Sequence, residues 1–155
     1  MNIDNDLYDQ ILRVMPISCV DLIVVDDAGR VLLAKRTNEP GKGYWWFPGG
    51  RVHFLETRLE ASRRKLKEEC GLEAEQIVEI GTYDVIMERS DHTEKLHGIT
   101  TLFYAMVGMQ VNYILDSQNS EADWRLPHEW LRLDLHPFVQ NGLKVFIGKY
   151  PQSIA

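Results

Sequence analysis

The chain has 155 residues, 45% hydrophobic and 26% charged, with 17 basic against 23 acidic side chains and a formal net charge of −6. Such a length predicts one domain over residues 1–155 with a substantial core, and the composition is that of a soluble globular protein. The acidic balance excludes a broad basic surface for nucleic acid, but not a phosphate-bearing small ligand held by a few local arginines and a metal. The first residues, Met1-Asn2-Ile3-Asp4-Asn5-Asp6, carry acids where a secretory signal has bases, and no apolar run reaches the roughly 18 residues a membrane span needs. A cytoplasmic protein with no membrane partner is expected. Cys19 and Cys70 form neither a disulfide framework nor a metal-ligand spacing, so both are expected to be buried thiols.

Residues 5–15 place Leu7, Tyr8, Ile11, Leu12 and Met15 on one helical face, with Asn5 as cap and Pro16 as stop. This helix packs on its own domain or lies across a partner subunit, and the sequence favours the first. Residues 17–25 are rich in β-branched side chains and predict a strand. Asp21 interrupts it: an acid there either faces solvent on an edge or binds a hydroxyl-bearing ligand. Asp26-Asp27-Ala28-Gly29 is a turn and residues 31–35 the return strand. A loop over 36–43 leads to Tyr44-Trp45-Trp46-Phe47, whose alternation sets Tyr44 and Trp46 on one side and Trp45 and Phe47 on the other. Core packing is the favoured role for these rings, ahead of base stacking.

Thr57 followed by Glu60 is a capping-box signature, and Gly71 a helix stop. Between them Leu59, Ser62, Leu66 and Cys70 form a narrow apolar seam. Glu60, Arg64, Lys65, Glu68 and Glu69 occupy the other faces. Glu68 and Glu69 lie within about a turn of Lys65 and repel each other unless a cation or solvent intervenes. An isolated Glu-Glu pair is ordinarily a solvated face; beside a glycine turn with a free carbonyl it also suits a hard ion such as Mg²⁺. Residues 77–87 and 99–109 predict two long strands around a polar loop, 88–97. A second polar loop covers 115–123, residues 127–130 are irregular, and 137–147 are weakly helical. Strands mixed with helices at both ends and in the middle predict a mixed sheet between helical layers, an α+β chain.

The run from Gly50 to Leu72 resembles the Nudix box. Gly50, Glu56, Arg64, Leu66, Glu68, Glu69, Gly71 and Leu72 stand at its fixed positions, and Lys65 stands where the family has glutamate. The resemblance implies a Nudix-like α/β/α sandwich and metal-dependent hydrolysis of a nucleoside diphosphate linked to another moiety. A second resemblance, carried by Lys35 to Pro40, Gly43 to Trp45 and Phe47 to Val52, is to the GDP-mannose mannosyl hydrolase subfamily. Tyr8 and Asp21 match its N-terminal aromatic and first-strand aspartate. That subfamily attacks the sugar carbon, releasing GDP and free hexose, and is dimeric.

By this resemblance Arg36 and Arg51 bind the diphosphate, Tyr8 and Asp21 complete the substrate site, and Glu69, a carbonyl of Gly49 or Gly50, and Gln118 hold Mg²⁺, with Mn²⁺ as a substitute. Glu68 is an additional candidate ligand, and Glu56 and Arg64 pair to brace the loop. The subfamily's general base is a histidine directly after the metal-binding glutamine, and here Asn119 stands there. Glu121 and Asp123 are the neighbouring substitutes, with His92, His97 and His128 as further candidates. Lys65 implies fewer metal ions than the usual three-carboxylate array. The competing readings are a pyrophosphohydrolase of nucleotide sugars or nucleotides, with Glu88 or Glu121 as an added ligand, and a catalytically silent nucleotide-sugar binding domain.

Overall fold

The computed structural model describes residues 2–38, 41–88, 95–108 and 119–151. Helix α1 (Asn5–Val14) is capped by Asp4, one residue before the expected Asn5, because the Asp4 carboxylate accepts from the Asp6 and Leu7 N–H groups at 3.1 and 3.3 Å. Strands β1 (Ile17–Val25) and β2 (Val31–Arg36) follow, then two short strands, β3 (Trp45–Trp46) and β4 (Gly49–Arg51). Helix α2 (Arg58–Cys70) precedes the long pair β5 (Gln76–Glu88) and β6 (Lys95–Met106). β7 (Asn119–Arg125), the short helix α3 (Pro127–Trp130) and α4 (Pro137–Lys149) complete the order.

One mixed sheet runs β3-β2-β1-β6-β5, with β4 also on β1 and β7 also on β2. β1 and β6 are parallel, and the remaining pairs are antiparallel. β1 is the hub. Its last residue, Val25, meets Val31 of β2, whereas Cys19 to Asp21 meet β4, so two neighbours leave the same edge of one strand. Alternation along β1 then sorts the side chains into two cores. Val20, Leu22 and Val24 join Ala61, Leu66 and Cys70 of α2 on one face. Ile23 and Val25 join Trp46, Phe47, Trp130, Phe138 and Phe146 on the other, under α3 and α4. This is the α/β/α arrangement with a mixed sheet.

Several local expectations are corrected. Residues 119–123, assigned to a polar loop, belong to β7 (Asn119–Arg125): Ala122 and Trp124 pack on the α2-side core, and pairing with β2 fixes the strand. Residues 115–118 of that loop, with Gln118, lie outside the described residues. Leu59 is exposed rather than part of the α2 seam. Arg58 turns toward the sheet, bonding Glu79 at 2.8 Å and Thr101 at 3.1 Å, and its neighbour, about 100° round the helix, turns away. Residues 127–130 are helical, capped at Leu126 N–H by the Glu129 carboxylate. The polar loop expected over 88–97 gives its ends to β5 and β6, which run to Glu88 and from Lys95. Trp46 and Phe47 are core residues, as expected, but they share one core with Trp45 in place of the expected alternation, and Tyr44 is exposed. Cys70 is buried, but Cys19 is only partly so. Among the described residues no helix is long and apolar enough to cross a membrane.

Candidate active site

Helix α2 is defined at both ends by local chemistry. The Thr57 hydroxyl accepts from Glu60 N–H at 3.1 Å while the Glu60 carboxylate accepts from Thr57 N–H at 2.7 Å. Gly71 closes the helix in the left-handed conformation at φ 68°. The loop before it is stitched down by a fork. Arg64 donates through Nε and Nη2 to both oxygens of Glu56 at 2.6 and 2.9 Å, and Nη2 also reaches the Arg51 carbonyl at 3.0 Å. His53 N–H adds a bond to Glu56 at 3.0 Å. The Arg64 guanidinium thereby pushes the Glu56 carboxyl down to about 2.

This bracing sets β4 against the C-terminal half of α2. Gly49 N–H donates to Glu69 Oε2 at 3.0 Å, and the Glu69 side chain is 4% exposed. Gly49 has to be glycine: a Cβ there would lie 2.2 Å from the Val20 carbonyl oxygen. Ladder alternation also separates the two candidate carbonyls. Leu22 N–H reaches Pro48 and Val52 N–H reaches Ser18, so the Val20–Gly50 pair between them faces inward and the Gly49 groups face away from β1. The Gly49 carbonyl therefore shares the open edge on which Glu69 sits. Lys65 Nζ lies 3.2 Å from Glu69 Oε1 and 3.7 Å from Glu68 Oε2, and Glu68 also accepts from Arg64 at 3.1 Å.

Among the described residues, no three His, Cys, Asp or Glu side chains form a metal cage. The donor set at the edge is a glycine carbonyl, a buried carboxylate and a half-exposed one. All are hard oxygens, and they fit a single Mg²⁺-type ion that keeps part of its water. An ammonium already lying between the two carboxylates marks the same spot as favourable for positive charge.

The other half of the site lies on the opposite face of β1. Asp21 is 6% exposed and accepts from Thr100 Oγ1 at 2.6 Å and Trp46 Nε1 at 3.1 Å. The edge alternative for this residue is thus excluded. Burial pushes its carboxyl up to about 7, against the pull of those two bonds, with nearby Glu69 adding to the rise and Arg36 opposing it. Cys19, two residues back on the same face, is raised to about 12, first by burial and then by Asp21. Arg51 pairs with Cys19 across the ladder and places its guanidinium 5.7 Å from the Tyr8 ring centre. Burial also raises the Tyr8 phenol. Arg36 is held by backbone bonds to Tyr44 and Gly43, and its stem passes Gly41.

Arg51 thus meets Tyr8 beside Cys19, while Asp21, two residues further along β1, pairs with Gly49 and feels the charges of Arg36 and Glu69. β7 runs beside Arg36: its register sets Asn119 opposite Arg36 and Glu121 opposite Lys35, whose Nζ is 4.0 Å from the Glu121 carboxylate. Asp123 binds Arg125 Nε and Trp124 N–H, both at 2.8 Å. His97 pairs with Asp84 on the exposed face of the β5–β6 pair, and His128 is exposed on α3. His92 lies outside the described residues. Thr100, Trp46 and Cys19 were not expected at the site. Thr100 and Cys19 meet through the parallel β1–β6 register, for which a single sequence carries no local signal.

A mixed sheet between helical layers, with a glycine strand laid on the acidic end of a capped helix, defines a Nudix-type sandwich. The NUDIX domain family matches residues 15–146, and the chain belongs to it, within the Nudix hydrolase superfamily. It is 33% identical over 147 residues to the low-salt glycan biosynthesis protein Agl8 of Haloferax volcanii, spanning 91% of this chain and 88% of that protein. It is 32% identical over 119 residues to the oxidized purine nucleoside triphosphate hydrolase of Danio rerio, spanning 77% and 69%. The NUDIX domain of Shewanella oneidensis NrtR, solved with ADP ribose, shares the fold at a TM-score of 0.73 and 20% identity, covering 96% of this chain and 94% of that one.

Proposed function

We propose that the protein is a Mg²⁺-dependent hydrolase of a GDP-sugar, GDP-mannose or a related hexose, which releases GDP and the free sugar by attack at the sugar carbon. What supports this reading is that Arg51 meets Tyr8 and that Asp21 pairs with Gly49, whose N–H binds Glu69, while Arg36 is near enough to act on the Asp21 charge. The glycan-biosynthesis name of the Haloferax relative supports a sugar-bearing substrate.

A metal ion bound at Gly49 and Glu69, with Glu68 and Gln118 as further ligands, would supply positive charge to the departing diphosphate. Arg36 and Arg51 grip the diphosphate through planar forks that match two phosphate oxygens at once. Their contribution grows as the C–O bond breaks and charge collects on GDP. Tyr8 and Asp21 hold the sugar or base, Asp21 offering a carboxyl that changes protonation near neutral pH. Asn119 cannot accept a proton, so Glu121 and Asp123 are the candidate bases for the water on the far face of the sugar. Among the described residues Glu121 is the more available, held only by Lys35 at 4.0 Å, whereas Asp123 is bound by Arg125 and a backbone N–H.

A pyrophosphohydrolase reading has its own support in the Danio relative's name and in the adjacent Glu68–Glu69 pair. Hydrolysis of GDP-mannose in ¹⁸O-labelled water separates the readings. Attack at carbon puts label in the hexose and yields GDP; attack at phosphorus puts it in a phosphate and yields GMP. No product of either kind would leave the binding-domain reading. A homodimer is part of the proposal, and a monomeric mass by light scattering would remove it.

A further inference from the structure

We infer that Gly98 is a specificity-determining residue: the side chain it lacks leaves a bare floor in β6 for a ring carried on the bound diphosphate. This rests on the reading of Arg51 and Asp21 as substrate contacts and adds one residue to their site.

Glycine inside a strand weakens it, and it ordinarily marks a bulge, a left-handed backbone or the close approach of another group. The other glycines of the sheet have such a neighbour. A Cβ would stand 2.2 Å from the Val20 carbonyl oxygen at Gly49, 2.7 Å from Lys65 Cε at Gly50 and 3.0 Å from the Tyr83 hydroxyl at Gly81. Gly98 has none of these reasons. Its φ is not positive. It pairs in register with Ile17 on one side and Val85 on the other, and the irregularity of the β5–β6 ladder falls at Glu79–Gly81 instead. Among the described residues, a Cβ there would meet nothing nearer than the Ile17 and Val85 carbonyl oxygens at 3.9 Å and Cys19 Sγ at 4.0 Å. The protein itself leaves room for a side chain that the sequence does not supply.

That room adjoins the candidate site. The ladders set Arg51, Cys19 and Thr100 in one row across β4, β1 and β6. Gly98 stands two residues before Thr100, on the same face. Thr100 binds Asp21 at 2.6 Å, and the Arg51 guanidinium meets the Tyr8 ring. Two strand spacings, roughly 10 Å, separate β6 from β4, within reach of a ring joined to a diphosphate that Arg51 holds. Further along the same face of β6, Leu102 and Tyr104 carry core side chains, so the gap is confined to the end beside Cys19.

The test sets stability against binding in Gly98→Ala and Gly98→Val. Both variants are expected to raise the thermal midpoint by about 2 °C, because the glycine cost goes and the space is free. Calorimetric titration with GDP and with GDP-mannose, in EDTA to prevent turnover, is expected to show GDP-mannose bound about threefold more weakly by Gly98→Ala and about tenfold more weakly by Gly98→Val. A loss shared by GDP assigns the floor to the base, and a loss confined to GDP-mannose assigns it to the hexose. Wild-type affinity for both ligands in Gly98→Val would overturn the inference and leave the proposed function standing. So would a lower midpoint in both variants, which would make the glycine a packing requirement. A wild type that binds neither ligand would remove the proposed ligand class, and the inference with it.

Discussion

Two buried carboxylates sit back to back across the sheet, and they are stabilised in opposite ways. Glu69 is met by a lysine ammonium and a backbone N–H. Asp21 is met by a threonine hydroxyl and an indole N–H, both neutral. Hydrogen bonds alone do not offset the desolvation of Asp21, whose carboxyl is pushed up to about 7. The two acids are buried to a similar degree, and what differs is the charge of the groups they meet. On one face a buried carboxylate lies against an ammonium. On the other the protein keeps an acid whose proton is negotiable at neutral pH.

The sharpest way to break this contrast is to neutralise its charged side. Glu69→Gln is expected to abolish Mn²⁺ binding at millimolar metal and to reduce kcat/KM by about 10³-fold, with the far-UV spectrum unchanged. Next come the arginines. Arg36→Lys and Arg51→Lys are expected to lower kcat by about 10²-fold while KM changes little, because their contacts strengthen as the leaving group gains charge. An effect confined to KM would make them substrate holders only.

Glu56 tests the ion-paired side by stability. Its folded pKa of about 2 lies below the ordinary value of 4.5, so its contribution is fully present above that value and is lost as pH falls toward 2. Glu56→Gln is expected to cost about 2 kcal/mol at pH 7 by denaturant unfolding and to flatten the loss of stability between pH 5 and 2. The smallest effect belongs to Asp21, with the opposite sign. Its folded pKa lies above the ordinary 3.8, so the native state holds the proton more tightly and stability falls as pH rises from 4 to 7. Asp21→Asn is expected to remove that slope and to be about 1 kcal/mol more stable than wild type at pH 8. An unaltered slope would mean that Asp21 is not the group responsible.

The ion-paired side was the legible one. Thr57, Glu60 and Gly71 act over a few residues and are read directly from spacing, whereas the Glu56–Arg64 pair was legible through the resemblance to the Nudix box. The position of Lys65 was legible as a charge within a turn of two acids, but its seat across Gly50 depends on where β4 lies. Asp21 was legible only as an anomaly. Its partners stand 25 and 79 residues away, joined by a strand pairing that nothing nearby announces. β7 was missed for a related reason. Its inward side chains Ala122 and Trp124 are set among polar residues in the sequence, and its extended form is imposed by β2.

The direction of α2 has one more consequence. Glu68 and Glu69 lie in its final turn, where the aligned peptide dipoles already concentrate partial negative charge, while Lys67 points to Glu73 outside. Acids at that end disfavour the helix that carries them unless cations gather there. The fold is therefore sensitive to its electrolyte: millimolar divalent salt should tighten the last turn of α2 and slow amide exchange there, with no nucleotide present, whereas the capped first turn should be indifferent to the same ions.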